Sequence, residues 1–246
     1  MQSRESTSRR PSDNNQFSVC LRYMKCPVSP SELIRKFGGS YARELGIDLS
    51  CRDSAEIHKW FLASILFGAR ISGKTAAKTY GEFARAGVVS SEAIVTAGWN
   101  ELVRILGHGG YKRYDFKTAE KLLKVSNALL RDYAGDLNAL HRVAADHSDL
   151  EHRLKQLGKG IGDVTVNIFL REMRGIWLKA QSLPSAKMVQ AAKALGLIDI
   201  GLCDGQSILN VLEEAAREHG IQLEDFEAAL VRYGLASGRK ALLQKP

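Results

Sequence analysis

The chain has 246 residues, of which 45% are hydrophobic, and it carries a formal net charge of +8 with a pI near 9.3. This length allows one large or two packed globular domains, and the positive charge favours a polyanionic partner, although a solvated basic surface has the same composition. No apolar run reaches the ~20 residues of a membrane-spanning helix, and the first residues lack the apolar segment of a secretory signal. We therefore expect neither a membrane protein nor a secreted one.

The cysteines and histidines show no metal-binding pattern. Cys20, Cys26, Cys51 and Cys203 form no CxxC pair, and the six histidines form no HxxxH pair with a nearby acid. Zinc-ribbon and iron–sulfur spacings are therefore absent. We expect no metal, no cofactor and no iron–sulfur cluster, and we expect a cytoplasmic location with free thiols, at the nucleoid in a bacterium.

The elements predicted in chain order are almost all helical. Residues 1–27 predict a disordered basic tail. Ser29-Pro-Ser-Glu is a capped start for a helix toward Leu45, and a second helix begins at Ser54 and carries the apolar run 60–67. Further helices are predicted at 74–86, 90–97, 100–106, 116–134, 136–144, 147–157, 185–195, 205–218 and 223–234. Because strand-like alternation is scarce, the predicted fold class is all-α.

Residues 68–75, Gly-Ala-Arg-Ile-Ser-Gly-Lys-Thr, match the phosphate-binding pattern GxxxxGK(S/T). In a P-loop the glycine amides and Lys74 would hold nucleotide phosphates, and Thr75 would bind magnesium. That fold also needs a parallel sheet. The run 61–67 could be one strand, but only residues 195–199 offer another candidate that ends in an acid. Nucleotide binding is therefore a remote alternative, and a plain helix start is the other explanation.

The most informative segment is 154–167, in which Leu154 and Leu157 precede a Gly-Lys-Gly-Ile-Gly turn and a second apolar run. Two short helices joined by this glycine hairpin would present backbone N–H groups and a helix N-terminus at one exposed point. Such a point binds anions, a nucleic-acid phosphate among them. Ile161, between two glycines, would hold the turn to the core. A tight corner between helices that binds no ligand remains the alternative.

With this hairpin preceded in order by the blocks 60–80 and 110–130, residues 50–180 resemble the helix-hairpin-helix DNA glycosylases of the endonuclease III type. The resemblance implies a two-lobed fold, with residues 53–179 as the central lobe that ends in the hairpin. Residues 28–52 and 180–246 would form the second, discontinuous lobe. It also implies a monomeric base-excision-repair protein that binds damaged double-stranded DNA and flips the damaged base into the cleft between the lobes.

The resemblance also assigns site residues. The loop 69–72 occupies the place of the family's wedge, so Arg70 or Ile71 would fill the gap left by the flipped base. The residues assigned to DNA contacts are Arg70, Ser72, Lys74, Lys112, Arg113, Lys159, Gly160, Ile161, Gly162, Val164 and Thr165. The base pocket would be formed by Trp60, Tyr111, Tyr114 and Trp177. In the segment 111–117, Lys117 together with Lys112 and Arg113 alternates with aromatic residues and would suit the DNA strand and the base near the cleft. A solvated basic face with aromatic stems in the core explains this segment equally well.

The chain departs from the family at the residues that carry its chemistry. The loop 175–184 contains no acid where the family keeps an aspartate that stabilises the developing sugar cation. Val164 stands where bifunctional members have a nucleophilic lysine. The chain is therefore expected to be a monofunctional DNA N-glycosylase, with Gln181, Lys179 and Glu172 as the nearest candidate catalytic residues. The alternative is a non-catalytic protein that binds DNA lesions or structures on the same fold.

Overall fold

The computed structural model describes residues 28–111 and 114–243. Within these ranges the regular elements are all helices and there is no strand, which confirms the predicted all-α class. The predicted tail and the predicted DNA contacts Lys112 and Arg113 lie outside the described residues. None of the helices in 28–111 and 114–243 has the length and apolar composition that crossing a bilayer requires.

Twelve helices are found in the described part of the chain. They are α1 (Pro30–Phe37), α2 (Tyr41–Glu44), α3 (Ser54–Phe67), α4 (Gly73–Arg85), α5 (Ser91–Gly109), α6 (Asp115–Tyr133), α7 (Leu137–Val143), α8 (His147–Gln156), α9 (Asp163–Met173), α10 (Ala186–Ala194), α11 (Gly205–Glu218) and α12 (Leu223–Leu243).

The described residues divide into two compact units. One unit is Gly39–Leu183, and the other consists of residues 28–38 and 184–243. The lobes expected from the resemblance, residues 53–179 and residues 28–52 with 180–246, differ from these units in where they begin and end. The division into two lobes with a base-binding cleft stays a prediction.

Helix α3 is the centre of the unit 39–183. Residues 60–66 are all buried, so the helix is apolar on every side and packs against α4, α7 and α9. Asp53 caps its N-terminus, because the Asp53 carboxylate accepts the N–H groups of Ala55 and Glu56. The run 61–67 is therefore helical, and the strand interpretation of this run is wrong. A short apolar run does not show its period, and here tertiary burial selects the helix.

The second unit has its own core, in which α1 and α10 pack against α12. Leu33, Met188, Leu212 and Phe226 are among its buried side chains. Helix α12 lies close to α10, since a Cβ on Gly234 would come within 2.9 Å of the Lys187 carbonyl oxygen.

Two glycines set helix boundaries, one of them where the sequence predicts it. The Ser29 hydroxyl accepts the N–H of Glu32, which confirms the capped start, but α1 ends at Phe37 because Gly38 adopts φ 85°. The helix predicted to run toward Leu45 is thus broken, and α2 follows separately. The helices predicted at 90–97 and 100–106 both lie within α5. Gly98, with φ 70° and ψ 175°, breaks the helix between them, where the sequence predicts a boundary.

Candidate functional site

A pocket of about 540 Å³ opens on the unit 39–183 where three segments meet: residues 68–70, the first half of α6 and the hairpin residues 159–160. It is termed the basic pocket here. Its polar lining side chains are Arg70, Tyr114, Lys117, Thr118, Glu120, Lys121, Lys124 and Lys159. The structure thus brings together the loop that carries Arg70 and the hairpin, two segments that are about ninety residues apart in the chain.

The positive charge of the basic pocket is largely uncompensated. Its acidic lining residue, Glu120, accepts a hydrogen bond from the Lys124 ammonium at 2.6 Å. Among the residues that the structure describes, no ion pair engages Arg70, Lys117, Lys121 or Lys159. Five cations thus line the pocket against one carboxylate, and this excess creates a local field that attracts anions.

Lys121 lies directly beneath the hairpin turn. A Cβ built on Gly160 would lie 2.8 Å from Lys121 Cε and 3.4 Å from its Nζ. Burial lowers the pKa of the Lys121 ammonium, because the charged form loses solvation. An anion bound in the pocket would interact electrostatically with the Lys121 ammonium and so compensate for the solvation that this group loses on burial.

The hairpin itself has the expected form. Helix α8 ends at Gln156 and α9 begins at Asp163, while Ile161 is buried and anchors the turn to the core. Gly162 is the N-cap residue of α9. Because glycine has no side chain, it supplies no hydrogen-bond acceptor to the backbone N–H groups in the first turn of this helix. The exposed Asp163 carboxylate is engaged by Lys155 Nζ at 2.6 Å, which lowers its pKa.

Gly68 brings the start of the loop 68–72 against α9. A Cβ at this position would lie 2.3 Å from Thr165 Oγ1, so a larger residue does not fit without a shift. Thr165 is accordingly buried beneath the surface, whereas Arg70, Gly162 and Val164 are exposed. The burial of Thr165 assigns it to the contact with Gly68, and its predicted DNA contact stays untested.

Residues 68–75 connect two helices and are not a P-loop. Ser72 caps α4, since the Ser72 hydroxyl accepts the Thr75 N–H at 3.0 Å, and Lys74 is exposed in the first turn. A P-loop follows a strand of a parallel sheet, and residues 28–111 and 114–243 contain no strand. The nucleotide-binding alternative therefore lacks its required scaffold.

Three of the aromatic residues predicted for the base pocket are core side chains. Trp60, Tyr111 and Trp177 are at most 3% exposed. Trp60 Nε1 donates to the Phe169 carbonyl at 3.1 Å, and Trp177 Nε1 donates to an Asn138 side chain. These rings are closed to a ligand in this conformation, so a base-pocket role would require the core to open. Tyr114, the fourth, lines the basic pocket.

The candidate catalytic residues lie outside the set that lines the basic pocket, and two of them are engaged elsewhere. The buried Glu172 carboxylate accepts hydrogen bonds from residues 40–42. Lys179 Nζ donates to the carbonyl oxygens of His141 at 2.9 Å and Arg142 at 3.3 Å. Gln181 is exposed, and its backbone N–H donates to His147 Nδ1 at 3.3 Å.

Two pocket residues, Lys121 and Lys124, were not among the predicted DNA contacts. A usable signal was present, because Lys117, Lys121 and Lys124 follow the i, i+4, i+7 spacing of one helix face. The face is visible in the sequence, but its meeting with Arg70 and Lys159 is set by tertiary packing.

No family model matches the sequence, and comparison with curated proteins finds no match either. Among solved structures the chain is similar to the H. pylori 3-methyladenine DNA glycosylase bound to 1,N6-ethenoadenine, with a TM-score of 0.49 and 14% sequence identity. The match covers 87% of this chain and 99% of that chain. The function of this chain is therefore inferred from its own residues.

Proposed function

We propose that the chain is a DNA-binding protein of base-excision repair, and that it holds the sugar–phosphate backbone of damaged duplex DNA at the basic pocket. The observation that carries this proposal is the excess of cations over carboxylates, five to one, in a pocket that the hairpin turn also lines. Contacts between basic side chains and phosphates supply most of the sequence-independent affinity of DNA-binding proteins.

A polymer of phosphates fits this surface better than a small anion. The cations of the basic pocket form one anion-binding point, and the uncapped first turn of α9 forms a second. Exposed Lys74 adds a third positive group at the start of α4. Repeating phosphates can occupy several such points at once, so each one adds to the affinity for DNA.

The proposal has an enzymatic and a non-enzymatic form. The enzymatic form is a monofunctional DNA N-glycosylase that flips a damaged base, since Val164 cannot form an imine with the sugar. That chemistry requires a group that stabilises the positive charge developing on the sugar. Glu172 and Lys179 are engaged in structural hydrogen bonds, and Glu120 is paired with Lys124. These contacts favour the second form, a monomeric protein that binds a DNA lesion without cleaving it.

The binding proposal is tested with the double variant Lys117→Glu/Lys159→Glu and a labelled duplex, by fluorescence anisotropy at several salt concentrations. We expect the affinity to fall more than about tenfold, and the slope of log affinity against log salt to become shallower by roughly 2, about 0.9 for each lost phosphate contact. The variant Lys36→Glu/Lys187→Glu makes the same charge change at exposed positions of the other unit. Equal losses of DNA affinity in the two variants would show that only the net charge matters, and would refute the basic pocket as the DNA-binding site.

The two forms are separated by incubating the protein with a panel of damaged-base duplexes, followed by alkali to cleave abasic sites. Strand breaks that appear only after alkali support a monofunctional glycosylase. Breaks without alkali contradict the monofunctional assignment. Tight binding without base release identifies the non-catalytic form.

A further inference from the structure

Trp99 and Phe116 form an exposed aromatic pair on the unit 39–183. Their side chains are 42% and 58% exposed, and their ring centroids lie 5.2 Å apart with 38° between the ring planes. Trp99 belongs to α5 and Phe116 to the first turn of α6. The other two tryptophans, Trp60 and Trp177, are buried. Two large aromatic side chains exposed side by side mark a contact surface more often than a structural feature.

The backbone before Trp99 is specialised. Gly98 interrupts α5 with a φ of 70°, yet a Cβ at this position would meet no atom within 4 Å. The glycine is therefore required by the backbone conformation and not by packing. The break immediately precedes the residue whose ring lies against Phe116.

The aromatic pair is connected to the basic pocket through the start of α6. Phe116 lies in sequence between Tyr114 and Lys117, and both of these residues line the pocket. The nearby carboxylate of Glu101 is engaged by Arg104 Nε at 2.7 Å, and Asp115 Oδ1 accepts the backbone N–H of Phe116 at 2.9 Å. Phe116 and Lys117 belong to the same first turn of α6, so a strand whose phosphates reach Lys117 runs past the turn that carries Phe116.

We propose that the aromatic pair is a stacking platform for an unpaired base of the DNA strand held at the basic pocket, an inference that rests on the proposed function. Lysines that hold phosphates beside exposed rings that stack on bases are the arrangement by which proteins bind single strands with little sequence preference. A fully paired duplex hides the faces of its bases, so the pair adds affinity only where the duplex is open.

The test compares two labelled duplexes of the same sequence, one fully paired and one with a short central loop of unpaired thymines. We expect the wild-type chain to bind the looped DNA about tenfold more tightly, as stacking of a single base supplies. Trp99→Ala/Phe116→Ala should reduce its affinity to that for the paired duplex. Trp99→Phe/Phe116→Tyr, which keeps both rings, should retain the preference, and so should Leu178→Ala, a change at an exposed apolar residue elsewhere on the same unit.

Tryptophan fluorescence gives a second readout. Because Trp60 and Trp177 are buried, quenching by the looped DNA reports on Trp99, and we expect it to disappear in Trp99→Phe. The stacking proposal is overturned if the double alanine variant still prefers the looped DNA, or if it loses affinity equally for both DNAs. It is also overturned if sedimentation shows that the wild type forms an oligomer and the double alanine variant does not, because the aromatic pair would then join two copies of the chain. Wild-type binding of both DNAs with equal affinity refutes the platform alone, whereas binding of neither refutes the proposed function with it.

Discussion

The Glu172 carboxylate accepts a hydrogen bond from the Ser40 hydroxyl at 2.7 Å, although the two residues are 132 positions apart in the chain. The same carboxylate accepts the backbone N–H groups of Tyr41 and Ala42, each at 2.8 Å. The Arg171 guanidinium lies 3.7 Å away and is also buried. Glu172 thus fastens the segment 40–42 to α9, and every contact found for it is structural.

Glu172→Gln should therefore lower the free energy of unfolding by about 2–3 kcal/mol. Both carboxylate oxygens of Glu172 accept hydrogen bonds, whereas the amide nitrogen of glutamine can only donate, so at least one of these bonds is lost. Urea denaturation measures the change. Glu213→Gln, at an exposed position, should stay within about 0.5 kcal/mol of the wild type. A variant that kept its stability but lost base release would instead identify Glu172 as a catalytic residue.

Lys179→Met should be destabilising for a similar reason. The Lys179 ammonium donates to the carbonyl oxygens of His141 and Arg142 and satisfies the C-terminus of α7. We expect a loss of about 1–2 kcal/mol, the range for hydrogen bonds to charged groups, with DNA affinity unchanged. Thermal unfolding and anisotropy measure the two quantities, and Lys187→Met, at an exposed site, is the matched control. A loss of DNA affinity at unchanged stability would contradict the capping role.

Two of the three hairpin glycines, Gly160 and Gly162, should respond in opposite ways to substitution. Gly160 adopts φ +98° against Lys121, so Gly160→Ala should cost about 1–2 kcal/mol. Gly162 has φ −112°, and a Cβ there meets nothing within 4 Å. Gly162→Asp should keep or slightly raise stability, because an aspartate caps α9, while its charge repels phosphate and weakens DNA binding.

Gly162→Ala is the control for this pair, since it adds a methyl group without charge. Urea denaturation and anisotropy on all three variants would separate backbone strain from anion repulsion. Full DNA affinity in Gly162→Asp would show that the hairpin does not contact the ligand.

His58 should make the protein sensitive to mild acid. Its Nδ1 lies 2.8 Å from the Val89 carbonyl oxygen and Nε2 lies 2.8 Å from the Ser91 hydroxyl, so the neutral ring donates to Val89 and accepts from Ser91. Burial lowers the pKa of His58 in the folded state. Below the unfolded-state pKa of about 6.5 the unfolded chain gains a proton that the folded ring resists, so stability is lost as the pH falls through that value.

The free energy of unfolding at pH values above and below this point measures the effect. His58→Asn should be less stable at neutral pH but should show a smaller loss on acidification. His152→Asn, at an exposed site, should lose as much on acidification as the wild type. A His58→Asn variant with the wild-type pH slope would contradict the assignment.

The sequence is most informative where a local rule decides the structure. The all-α class follows from hydrophobic periodicity, and the cap at Ser29 follows from hydroxyl chemistry at a helix start. The break at Gly98 falls between the helices predicted at 90–97 and 100–106. The break at Gly38 was not predicted, because glycine adopts positive and negative φ equally well and the surrounding fold selects between them.

The site was harder to predict than the fold. Trp60 and Trp177 are aromatic residues of the kind that line a base pocket, yet both are buried in the core. The sequence of a helix that is apolar on all sides does not show whether one of its faces lines a cleft. The basic face of α6 is visible from its spacing. Its contact with the hairpin at Lys159 depends on packing between distant segments, which no local pattern encodes.

The contact between Gly68 and Thr165 has a consequence for how DNA would be selected. The loop that carries Arg70 presses on α9 with no room for a side chain between them, so the distance from Arg70 to the hairpin is fixed. A ligand that spans both must adjust its own curvature to this distance. Under the proposed function, damage that softens the double helix lowers the energy of bending, and affinity follows the flexibility of the DNA even at positions that the protein does not touch.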